Sequence, residues 1–93
     1  MSNKANWTLG EGYKFIWGAN IINGVNNFIP SIDGKELTNS NCAAVFPVCS
    51  QISANIIAYN GLVNSSGQWV IHLNASPSGA CMFGFLAIVK SDF

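Results

Sequence analysis

Few side chains in this sequence could carry a reaction. His72 is the single imidazole among 93 residues, so a base-activated nucleophile would have to pair it with a Ser or a Cys. It stands between Ile71 and Leu73, on the polar side of an alternating segment, where an exposed or hydrogen-bonded strand histidine is the simpler assignment. The carboxylates Glu11, Asp33, Glu36 and Asp92 are the only material for two-carboxylate glycoside cleavage. Asp33 and Glu36 share one turn with Lys35, as solvated charges do. Gly10-Glu11-Gly12 lacks both the third glycine and the following helix of a phosphate cradle. Cys42, Cys49 and Cys81 are odd in number, and the C-x6-C gap is not a zinc-ligand spacing. Buried free thiols acting as small hydrophobes are the expected state, with a Cys42–Cys49 disulfide as the alternative. No enzyme, catalytic residue, metal or cofactor is expected.

Binding chemistry is better supplied. A sugar site joins an aromatic platform, for the C–H face of the ring, to amides and hydroxyls that bond its rim. The chain holds three Trp and two Tyr beside 12 Asn and 10 Ser. Trp7 and Tyr13 lie in an aromatic, glycine-rich N-terminal stretch, and Asn60, Asn64 and Asn74 lie near turns; these five are the candidate ligand-binding residues. Trp69 shares its parity with Ile71 and Leu73 and reads as core. Asn6-Trp7-Thr8, Asn64-Ser65-Ser66 and Asn74-Ala75-Ser76 match the glycosylation sequon, as chance allows in so Asn- and Ser-rich a chain. Loops 31–41, 60–67 and 74–80 are the candidate contact regions, because loops on a rigid scaffold usually carry binding.

Charge narrows the partners. Four Lys balance four acids, and no Lys, Arg, Asp or Glu occurs between Leu37 and Val89. That excludes the basic stripe needed for nucleic acid and argues against an anionic membrane surface. No run of about 18 apolar residues exists for a membrane span, and the N-terminus lacks the apolar core of a signal peptide. Soluble monomers usually carry roughly 25–35% charged surface residues, so this long uncharged stretch must be covered or solvated by amides. A domain this short buries only about 60% of its unfolded surface, and association is a common remedy.

The elements that must position these groups read as strands. Residues 1–20 form an aromatic, Gly-rich segment for attachment or packing, and 21–93 the folded domain. Tyr13, Phe15 and Trp17 share one parity and would form one aromatic face. Asn23-Gly24, Asp33-Gly34 and Asn60-Gly61 are turn signals, and Asn64-Ser65-Ser66-Gly67 is another. Pro47 makes 43–48 an edge strand or strand end. Ile52, Ala54, Ile56 and Ala58 alternate as a strand, as do Trp69, Ile71 and Leu73. Cys81 to Val89 is apolar at both parities, which implies burial on both sides. It needs a partner on each side, and a second chain would provide one, so Met82, Phe83, Phe85 and Ile88 are the expected oligomer interface. The expected fold is all-β: a small, jelly-roll-like antiparallel β-sandwich working as a homotrimer.

Ile52-Ser53-Ala54-Asn55-Ile56-Ile57-Ala58-Tyr59-Asn60-Gly61, then Asn64-Ser65-Ser66-Gly67-Gln68-Trp69-Val70-Ile71-His72-Leu73-Asn74-Ala75-Ser76, then Gly84-Phe85-Leu86-Ala87-Ile88-Val89-Lys90, resembles the C-terminal tip domains of bacteriophage tail fibres. The likeness spans residues 50–90 and is one of rhythm, so no residue-level site is carried over. It implies a short β-sandwich, tightly packed as a homotrimer at the virion surface, that binds a host polysaccharide or other receptor through loops. The chain departs from such proteins in having no visible attachment segment or collagen-like repeat. A fragment, or a capsid decoration or head-fibre subunit without ligand, would account for that. A stand-alone small lectin is the other alternative.

Overall fold

The computed structural model describes residues 12–50 and 56–93, with backbone alone at positions 49 and 50. Trp7, Glu11 and the first part of the expected 52–58 strand lie outside the described residues. Eight strands follow in order: β1 (Tyr13–Ile22), β2 (Asn27–Phe28), β3 (Ser31–Ile32), β4 (Lys35–Glu36), β5 (Cys42–Ser50), β6 (Ala58–Val63), β7 (Trp69–Leu73) and β8 (Cys81–Lys90). They form an antiparallel β-sandwich of two three-stranded sheets, β1-β8-β5 and β2-β7-β6, with β3 and β4 as a separate hairpin. None of the described residues is helical, so no helix is long and apolar enough to cross a membrane.

Strand β8 is the axis of the fold. Tyr13–Ile22 pairs with it in unbroken register on one side, and β5 pairs on the other with irregularities near Ala43 and Val48. Both of its hydrogen-bonding edges are therefore filled within the chain, and no second chain is needed for that. The pairing of β1 also runs straight through the expected boundary between positions 20 and 21, so β1 belongs to the sandwich. β5 is an edge strand, as Pro47 requires.

Alternation sorts β8 into two faces. Phe83, Phe85, Ala87 and Val89 are fully buried and meet Phe28, Ile71 and Leu73 of the facing sheet in one core. The Phe28 and Phe83 ring centroids are 6.0 Å apart. This corrects the expected interface: Phe83 and Phe85 point inward, whereas Met82 and Ile88 have the opposite parity and lie on the outer face. Ile88 is nearly covered there, between Phe15 and Ala44 in its row.

Gly18 of β1 faces the core opposite Phe85. A Cβ at Gly18 would lie 2.6 Å from Cε2 of Phe85 and 2.9 Å from Cγ1 of Ile32, inside carbon contact distance. Gly18→Ala is therefore expected to cost about 1–3 kcal/mol through overpacking. A domain of this size then melts lower by roughly 4–8 °C per kcal/mol; an unchanged melting temperature in calorimetry would mean that the ring does not rest there.

Two turn expectations differ from the structure. Asn60-Gly61 sits inside β6, where a Cβ at Gly61 would come within 3.1 Å of the Val45 carbonyl oxygen; the glycine allows β5 and β6 to approach closely. Asn23-Gly24 does not close a hairpin, because the strand before it pairs with β8; the Gly24 amide instead donates to the Pro77 carbonyl at 2.9 Å. Asp33-Gly34 does make the expected tight turn. Both residues have positive φ, 52° and 80°, the signature of a two-residue hairpin of type I′.

Candidate functional site

The five residues expected to bind ligand do not form one site. Trp7 is outside the described residues. Tyr13 opens β1 opposite Lys90, on the other sheet from the asparagines. Asn64 is occupied by its own turn: its Oδ1 accepts from the Ser66 and Gln68 amides, both at 2.9 Å. Asn74, beyond the other end of β7, has its Oδ1 taken by the Ile57 amide at 2.9 Å. Asn60 lies in mid-strand opposite His72, and its Oδ1 is buried without a donor.

His72 lies between Asn27 and Asn60 in the cross-strand register, on the outer face of its sheet, with the Tyr59 ring centroid 6.2 Å away. Among the described residues no Ser or Cys side chain hydrogen-bonds to it, and no three His, Cys, Asp or Glu residues come together as a metal site. Cys42 and Cys81 are free and buried, so a Cys42–Cys49 disulfide is not formed. Burial pushes the Cys42 thiol above its ordinary pKa, against the opposing pull of backbone hydrogen bonds with Ala44 and Ile88. It packs as an inert hydrophobe. Trp69 is half-buried against the core, its Nε1 donating to the Cys42 carbonyl at 3.0 Å.

The feature left without a structural task is the outer face of the β1-β8-β5 sheet. Directly opposed residues on antiparallel strands point the same way. The register therefore makes rows of Phe15, Ile88 and Ala44, then Trp17, Leu86 and Phe46, then Ile21 and Met82. These rows contain no charged, amide or hydroxyl side chain. Much of the surface is open: Trp17 is 52% exposed, Ile21 72% and Phe46 48%. An antiparallel sheet with one face in water normally alternates apolar inward and polar outward. The facing sheet does so in its row of Asn27, His72 and Asn60, although its next outer row, Val70 and Leu62, is apolar; in the sheet of β8 three rows of this face are apolar.

Compared with known proteins, the chain matches no family model, no curated protein and no solved structure.

At the free edge of β1 the apolar face meets a polar cleft of about 250 Å3, walled by Trp17 and Asn20 on one side and by Ser31, Asp33 and Gly34 on the other. Asn20 pins the hairpin to β1: its Oδ1 accepts from the Ser31 amide at 2.9 Å, and its Nδ2 donates to the Ser31 carbonyl at 3.0 Å. A side chain here copies a β-ladder pair and fixes the cleft's width. Sequence reasoning missed Trp17 as a surface residue, although the shared parity of Tyr13, Phe15 and Trp17 was the available signal.

Proposed function

We propose that the chain is a non-enzymatic, self-assembling subunit of a virion surface appendage. It packs as a homotrimer through the outer face of the β1-β8-β5 sheet and presents its hairpin and loops to a host-surface glycan. The observation that carries the assembly is the apolar surface of that sheet inside its terminal Tyr13–Lys90 row, with Met82, Leu86 and Ile88 along its central strand. Contiguous exposed apolar patches mark interaction sites, and obligate interfaces have the composition of a core cut in half. The uncharged stretch from Leu37 to Val89 supports the same assignment, since it supplies two of the three strands of that sheet. The setting rests on the resemblance of residues 50–90 to tail-fibre tips. A rigid trimer would multiply weak contacts into avidity.

Light scattering behind size exclusion, at two well-separated concentrations, tests this. The expected result is a concentration-independent mass three times that of the 9.9 kDa chain. A single-chain mass at both concentrations would overturn the assembly and favour a small lectin-like module.

A further inference from the structure

We propose that the cleft between β1 and the β3–β4 hairpin is a subsite for one neutral pyranose ring, with the Trp17 indole as its platform and the Asp33 carboxylate as the acceptor for its hydroxyls. The inference rests on the reading above for the gain from several copies; Trp17 is on the edge strand β1, so the packed face must leave its indole open at the rim.

A hexopyranose has a flat C–H face and a rim of hydroxyl groups, so its receptor needs a flat apolar wall beside a small number of fixed acceptors and donors. Ligand sites in general combine a concave surface, aromatic lining and few polar groups. Trp17 and Asp33 line the same cleft. The indole is a large rigid surface that loses little entropy on contact, and half of it is in solvent. The Asp33 side chain makes no hydrogen bond or ion pair among the described residues and, like any carboxylate, offers two acceptor oxygens to a pair of adjacent hydroxyls. Ser31 Oγ, 3.4 Å from Asn20 Nδ2, accepts from it and so has its own O–H free to donate. The volume of about 250 Å3 suits one ring and not an oligosaccharide in full.

The same geometry sets the charge of the ligand. Among the described residues Asp33 is the only ionisable group lining the cleft. Lys35 lines the neighbouring cleft, which Asp33 borders as well, and its Nζ is held 4.6 Å from the centre of the Phe93 ring. Among the described residues no cation lines the cleft to receive a carboxylate. Uronic and sialic acids are therefore repelled, and neutral hexoses are the class that fits.

The backbone also makes a clean variant available. Asp33 has a φ of 52°, a conformation that Asn tolerates as well as Asp, so Asp33→Asn removes the charge and keeps the turn. The test records amide and indole N–H shifts of the full chain by NMR during titration with methyl glucoside, methyl galactoside, methyl mannoside and glucuronate. The expected result is a millimolar response to at least one neutral glycoside at the Trp17 indole and the Gly34 amide, and none to glucuronate. Asp33→Asn is expected to weaken it by about 10- to 100-fold, as loss of a charge-assisted hydrogen bond does. Trp17→Ala should abolish it. Shifts confined to other residues, equal binding by Asp33→Asn, or preference for glucuronate would each overturn the subsite, as would silence with all four sugars. Light scattering on the same samples separates the two ideas: a trimer without shifts removes the subsite alone, and a monomer with shifts removes the assembly alone.

Discussion

Phe85→Ala is expected to leave the chain largely unfolded rather than merely dissociated. The Phe85 ring is fully buried, beneath Gly18 and beside Ile32, and Pro47 opposes it across the sheet. Truncating a buried Phe costs about 3–5 kcal/mol, through lost transfer energy and the cavity left behind. Native domains have only about 5–15 kcal/mol in total, and small ones sit at the low end. Urea titration followed by circular dichroism should show the midpoint collapse toward zero denaturant. Ile88, by contrast, belongs to the outer rows, so Ile88→Ala should cost less than Phe85→Ala in the same titration. A Phe85→Ala chain with unaltered stability and lost assembly would return Phe85 to an interface.

The two fates of β8 show where a sequence stops speaking. A run apolar at every position announces a central strand, and β8 is one. It carries no record of which parity faces the core, because both parities are apolar. That choice is made by register: Gly18 lies opposite Phe85, and only a residue without a side chain leaves space for the ring. Had the outer parity been polar, as it is around His72 in β7, alternation alone would have sufficed. The β7 strand and the Asp33-Gly34 hairpin were legible for that reason, since alternation and paired positive φ are local properties. Asn60-Gly61 looked like a turn and is strand, because its glycine answers to Val45, far away in sequence.

The candidate site was less legible than the fold. Asn64 and Asn74 advertised hydrogen-bonding capacity, and that capacity is used inside the protein, on the backbone of a turn and of Ile57. Asn20 attracted no notice and turns out to set the width of the cleft. Side-chain amides say that a bond will be made, and only the fold says with whom. Trp17 and Asp33, sixteen positions apart, meet because β1 ends in a crossover to the other sheet and the chain then returns as the β3–β4 hairpin beside β1.

Phe46→Glu is expected to dissociate the proposed trimer while leaving the single chain folded. Phe46 lies on the edge strand β5, half exposed, in the middle row with Leu86 and Trp17. In the monomer a carboxylate at that position stays in water, where surface changes cost within about 0.5 kcal/mol. In the packed assembly it would be buried against apolar neighbours with no cation in its row among the described residues, since Lys90, at the end of the sheet, pairs with Tyr13 beyond the row of Phe15. Burying such a charge unpaired costs several kcal/mol, and each 1.4 kcal/mol is about tenfold in affinity. Every interface would therefore weaken by at least about a hundredfold. Ile21→Lys, at the far end of the same face, should act likewise through a charge of opposite sign, and Phe46→Leu should preserve the trimer. Acid supplies a further control. The introduced carboxyl is neutral below its ordinary pKa of about 4.3, so association should return as the pH falls through that value, while the Ile21→Lys chain, still charged, stays apart. Trimer mass retained by both charged variants at neutral pH would place the interface elsewhere on the molecule.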